Sequence, residues 1–172
     1  MTDKAFADIM VALRQIEAFL GKQPSGINRV AWHEAGHVVA ACALGYSPIR
    51  ATICENGEDL GRVTVVDNMS AEHRAIFLMA GTVAEIKALQ RAGAHVSVAD
   101  IVNTSRGDIA SLRQMHALGA RLDISAPLAA ATTLLDMNWH RVESVAFAFA
   151  FALQRPSDKD FELIEIWKAY NV

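Results

Sequence analysis

The sequence predicts a mainly α fold, with one small β-hairpin beside a central helix. Three observations carry this class. Apolar residues recur at helical spacing through most of the chain. Only two short runs, 50–55 and 61–67, read as strands, and Asn56-Gly57 lies between them. Glycine, proline and serine fall mostly between the periodic segments, where they punctuate them. A length of 172 residues suits one domain spanning 1–172. Residues 1–26 then form an N-terminal helix and linker, and 27–169 the core.

Taken in order, Lys4 to Gly21 places Phe6, Ile9, Met10, Leu13, Ile16, Phe19 and Leu20 at helical intervals. Gly21 and the Gln23-Pro24-Ser25-Gly26 cluster end that helix. A second helix spans Asn28 to Leu44 and stops at Gly45. Gly36 lies in its middle, where glycine costs about 1 kcal/mol against alanine, so packing or a site must call for it. Arg50–Glu55 and Gly61–Asp67 follow as the two strands of the hairpin. Ser70 caps a helix from Ala71 to about Arg91 that is apolar over most of its surface. Gly93 to Gly107 reads as a loop-rich link into a helix from Asp108 to Leu118. Ser125-Ala126-Pro127 opens a long helix to about Leu153. Phe147, Phe149 and Phe151 alternate as in a strand, but the alanines between them and the helical lead-in favour helix. Pro156 stops it, and Ser157 caps a last helix to about Ala169.

Composition narrows the function. A chain 52% hydrophobic and 20% charged fills a globular core. A net charge of −3 without a basic run argues against nucleic acid as a partner. The longest apolar run, Val145 to Leu153, is too short to span a bilayer. The N-terminus lacks the basic start and apolar block of a secretory signal. Cys42 and Cys54 make no metal-binding spacing and read as buried free thiols. The expectation is a soluble, cytoplasmic protein.

The chemistry gathers at His33-Glu34-Ala35-Gly36-His37, an H-E-x-x-H pattern. Random placement yields this pattern in roughly one chain in a hundred of such composition, so context must add weight. It does: Val30, Ala31 and Trp32 precede the motif, and Val38, Val39 and Ala40 follow it. Two histidines and a glutamate on a mostly buried helix are costly without a partner. Residues four apart share a helix face, so His33 and His37 can offer two imidazole nitrogens to one ion. Glu34 flanks that ion as a general base for the water it activates. A third ligand is expected. Spacing leaves Asp108 and Glu85 near even. Asp136 and the His140–Glu143 pair read as ordinary polar contacts of the C-terminal helix.

Several stretches together resemble a known family. They are Val30 to Ala40 around the motif, Ala80-Gly81-Thr82-Val83-Ala84-Glu85, and Thr104-Ser105-Arg106-Gly107-Asp108-Ile109. Leu134-Leu135, Asn138-Trp139, Val142-Glu143, Val145-Ala146 and Asp160-Phe161-Glu162 add weaker matches. This set is similar to the peptidase domain of the FtsH-type, AAA-linked zinc metalloproteases, over roughly Asn28 to Trp167. The resemblance implies a helical zinc peptidase domain with a small β element beside the metal helix. It implies zinc held by His33, His37 and Asp108, Glu34 as general base, and Glu85 as a structural carboxylate or one supporting a ligand.

The chain departs from that pattern at Gly107, Thr82 and Ile86, and it contains nothing like a G-x-x-x-x-G-K-[ST] phosphate loop. The expected activity is therefore zinc-dependent hydrolysis of flexible or unfolded polypeptides, independent of an ATPase in the same chain. A separate ATPase partner would extend it to folded substrates. Two alternatives stand beside it: a zinc-containing peptide-binding or regulatory module with little turnover, and a regulator-cleaving peptidase of the ImmA type. The apolar helices 71–91 and 127–153 supply either a core or the interface of a homo-oligomer, since the resembled family forms rings.

Overall fold

The structure, a computed structural model, describes residues 26–53, 61–65, 68–95, 97–118, 124–153 and 160–161. The expected N-terminal helix at 4–21 and the Asn56-Gly57 turn lie outside them. The described residues form six helices and a small sheet: α1 (Gly26–Ala43), β1 (Pro48–Ile53), β2 (Gly61–Val65), α2 (Ala71–Arg91), α3 (Val98–Thr104), α4 (Arg106–Ala117), α5 (Ser125–Met137), α6 (Trp139–Leu153) and β3 (Asp160–Phe161).

Helix α1 is the centre. Its residues from Val30 to Ala41 are buried, because α2 and α6 pack on it and the hairpin lies alongside. The helix ends where Gly45, at φ +87°, turns the chain, and the Tyr46 amide returns to the Ala41 carbonyl at 2.9 Å. Gly36 is required by packing. A Cβ there would fall against the Ala80 carbonyl oxygen and 2.7 Å from the Ala84 Cβ. The α1 and α2 backbones meet at this point.

The strands form the expected antiparallel hairpin, with Ala51 opposite Val63 and Ile53 opposite Gly61. Ala51 and Ile53 are buried and face the core, while Arg62 and Thr64 are exposed. Helix α2 has the expected bounds, and Ser70 Oγ accepts the His73 amide at 3.1 Å as its cap.

Three expectations need correction. The loop expected at 93–107 contains α3. Its β-branched Val98, Ile101 and Val102 hide the helix from propensity, and Ile101 is its buried residue. The long helix expected from 125 to 153 is two helices that break at Asn138. There the side-chain Nδ2 donates to the Leu134 carbonyl at 2.9 Å, and the Asn138 carbonyl accepts the amides of Arg141 and Val142. The third correction falls in the expected last helix. Asp160 and Phe161 are a short strand, antiparallel to Thr52 and Ala51. β1 is the middle strand, so its second edge carries backbone groups that need partners. The remainder of 154–172 lies outside the described residues.

The apolar helices at 71–91 and 127–153 turn their buried faces to α1 and to one another. Leu135, Val142 and Phe149 are fully buried in the shared core. Trp32 stacks on Trp139 with ring centroids 5.6 Å apart and planes 3° from parallel.

Gly36→Ala weighs a helix-propensity gain of about 1 kcal/mol against overpacking of about 1–3 kcal/mol. The nearest atom is backbone on a buried helix, so overpacking wins. We expect a net loss of roughly 1–2 kcal/mol in urea unfolding. An unchanged or higher midpoint would contradict the close α1–α2 contact.

Candidate metal centre

One turn separates His33 from His37 on α1, and both rings project toward α2 and α4. Asp108 arrives from the first turn of α4. The three side chains converge. Asp108 Oδ2 lies 2.9 Å from His33 Nε2 and 3.2 Å from His37 Nε2, and the two Nε2 atoms are 3.1 Å apart. His33 and His37 are buried and Asp108 is half-buried.

This donor set fits a small cation. Ligands ~2.0–2.1 Å from a tetrahedral ion lie about 3.3 Å from one another, close to the separations here. His37 Nδ1 donates to the Phe77 carbonyl at 2.9 Å, which leaves its Nε2 with a lone pair. That lone pair meets a carboxylate oxygen and a second imidazole, an arrangement that a cation satisfies. Gly81 provides the room. A Cβ on it would lie 2.5 Å from His37 Nε2 and 2.6 Å from His33 Nε2, in the space the ligand atoms face. Gly81 is a second helix-interior glycine; its cost against alanine is the signal that would have singled it out, as it did Gly36.

Glu34 is buried beside the triad, and its Oε2 has no hydrogen-bond partner among the described residues. The start of β2 closes against it. A Cβ on Gly61 would lie 2.5 Å from Glu34 Oε1. The triad and Glu34 face a cleft of about 550 Å³ bordered by Gly61, Arg62 and Val63 of β2 and by Thr104, Arg106 and Ser111.

Glu85 is not part of the ligand group. It is fully buried, and Arg29 donates to its Oε1 from Nε at 2.8 Å and from Nη2 at 2.6 Å. Thr104 Oγ1 donates to its Oε2 at 2.6 Å. That same oxygen stands 3.4 Å from His33 Nδ1, long for a hydrogen bond but on the side opposite the triad. Ser105, the residue before α4, makes no side-chain cap and shares a 2.7 Å hydrogen bond with Thr82. The C-terminal candidates stay away from the site. Asp136 pairs with Lys87, while Glu143 accepts from Trp139 Nε1 at 2.6 Å and from Arg91 at 3.3 Å. Sequence reasoning passed over Arg29, although it lies one turn before His33 on the same face. The Phe77 carbonyl is backbone and leaves no sequence signal.

The electrostatics describe a cation-seeking pocket. Burial alone would lower the His33 pKa, but the hydrogen bond to Asp108, the Glu85 carboxylate nearby and the charges of Glu34 and Asp108 push it up to about 10. For Asp108, burial would raise the value. The neighbouring His37 and His33 imidazoles outweigh it and hold the carboxyl well below the usual range. Burial pushes Glu34 up, against the pull of His37 and His33.

No protein family, curated protein or solved structure matches the chain.

The raised His33 value has a sign that can be checked. In the metal-free protein its contribution to stability is fully present below pH 6.5 and is lost as pH rises through about 10. Metal ligation requires a neutral imidazole, so an ion displaces that proton. At pH 7 we expect release of about one proton per zinc bound, measured by calorimetry in buffers of different ionisation enthalpy. Binding with no proton release would contradict the raised His33 value.

Proposed function

We propose that this chain is a zinc-dependent metallopeptidase acting on flexible or unfolded polypeptides. One observation carries the reading: a buried His-His-Asp triad with a partnerless carboxylate oxygen beside it, opening on a cleft. His33, His37 and Asp108 would hold the ion, and two histidines with one carboxylate are a zinc donor set. When bound, zinc supplies Lewis acidity and makes water a nucleophile at neutral pH. The likeness of the three sequence stretches to the FtsH-type peptidases supports the same assignment.

The chain's own residues would do the rest. Glu34 takes the proton of the attacking water and returns it to the leaving amine. Its raised pKa makes it a stronger base toward the water proton. Burial keeps competing bulk water from its carboxylate. The Phe77 carbonyl holds the His37 ring in one orientation. β2 is an edge of the sheet and borders the cleft, so an extended peptide can add to it by main-chain hydrogen bonds. This favours chain segments without their own secondary structure. No helix among the described residues is long and apolar enough to cross a membrane.

Glu34→Gln tests the assignment. Zinc content should stay at the wild-type level, while hydrolysis of a fluorescein-labelled unfolded protein falls by about a hundredfold or more. Equal turnover in Glu34→Gln would remove its role as base. Zinc-loaded wild type that cleaves no unfolded chain would replace the peptidase reading with that of a binding module.

A further inference from the structure

Helix α3 sits oddly for an element that leads into a metal ligand. It is seven residues long, and Ile101 is its buried residue. Val98 is 77% exposed and Val102 50% exposed. Little apolar burial therefore holds it in place. Yet α4 follows after Ser105, and Asp108 is the third residue of α4. The position of Asp108 depends on that of α3.

Polar groups do the holding. Arg29 of α1 grips two helices at once. Its Nε and Nη2 donate to Glu85 of α2, and its Nη1 lies 3.2 Å from Asp100 Oδ2 of α3. Thr104, at the end of α3, donates to the same Glu85 carboxylate. Arg29 and Glu85 are largely withdrawn from solvent, at 14% and 0% side-chain exposure, so their bond is strongly directional. The Asp100 contact is on the surface and adds little alone. The anchor is thus the buried Arg29–Glu85 pair, with Thr104 tied to it.

We infer that Arg29 is a positioning residue for Asp108: through Glu85 and Thr104 it fixes the α3–α4 corner that brings the third ligand to the two histidines. The inference rests on the metal-site reading above. Arg29 is not among the ligand atoms and not among the residues bordering the cleft. Its influence runs through the corner.

A double-mutant cycle on the full chain tests this, with Zn²⁺ affinity read by competition against a chromophoric chelator. Arg29→Met should weaken zinc binding by about ten- to a hundredfold, the usual cost of losing a group that supports a ligand. In an Asp108→Ala background the same change should cost less than about threefold, because the ligand it positions is already gone. Arg29→Lys keeps the charge but loses the two-point grip and should fall between. A merely structural role would weaken both backgrounds alike, and that result, or an unchanged affinity in Arg29→Met, overturns the inference while leaving the metal site intact. Wild type that binds no zinc overturns both. Should Arg29→Met lose its helical circular dichroism, Thr104→Val enters the same cycle. A smaller loss confined to the Asp108-containing background supports the inference, and an equal loss in both, or none, overturns it.

Discussion

Everything at the centre depends on how closely α1 and α2 approach. Gly36 lets the helices touch at the Ala80 carbonyl and the Ala84 methyl. One consequence is that Phe77 presents its carbonyl to His37 Nδ1. Another is that Gly81, one residue after Ala80, lies over the imidazoles with no side chain to occupy the space between them. A third is that Glu85, one turn further along α2, comes behind His33. A wider helix pair would lose the orienting carbonyl and the carboxylate together. The two glycines thus give up about 1 kcal/mol each of helix propensity to set the distance on which the site's geometry rests.

The electrostatics follow from that geometry. Glu34, Glu85 and Asp108 gather around two imidazoles in a largely buried space. Arg29 neutralises Glu85, so the surplus negative charge falls on Glu34 and Asp108. Without an ion the surplus draws a proton to His33, which explains why burial fails to lower that group's pKa. A divalent cation answers the same surplus with better geometry, since it meets all three ligand atoms at once. An ion held here would displace that proton, so its affinity would rise with pH.

The central helix and its histidine pair were legible because their signal is local. Four-residue spacing puts two histidines on one face, and no tertiary information is needed to see it. The hairpin and α2 were legible for the same reason, through the β-branched runs and the Ser70 cap. What escaped depends on distant partners. α3 has poor propensity and is held by Arg29 and Glu85, 56 residues apart in sequence. The break at Asn138 rests on one side-chain hydrogen bond that periodicity does not register. Asp160-Phe161 pairs with β1 because that strand's second edge needed a partner, a fact visible only once the sheet is built. The third ligand lies between these cases. Spacing left Asp108 and Glu85 even, and family resemblance favoured Asp108. The structure brings Asp108 to the two histidines in a group that could hold an ion, and commits Glu85 to Arg29 and Thr104.

The central claim is that His33, His37 and Asp108 hold one ion and that Glu85 does not. Metal content of the purified protein after zinc loading and desalting tests it most directly, with Asp108→Ala and Glu85→Gln measured beside wild type. The expected result is about one zinc per chain in wild type, little or none in Asp108→Ala, and a largely retained ion in Glu85→Gln. Zinc kept by Asp108→Ala and lost by Glu85→Gln would exchange the two carboxylates' roles. A wild type that takes up no zinc would contradict the metal centre itself.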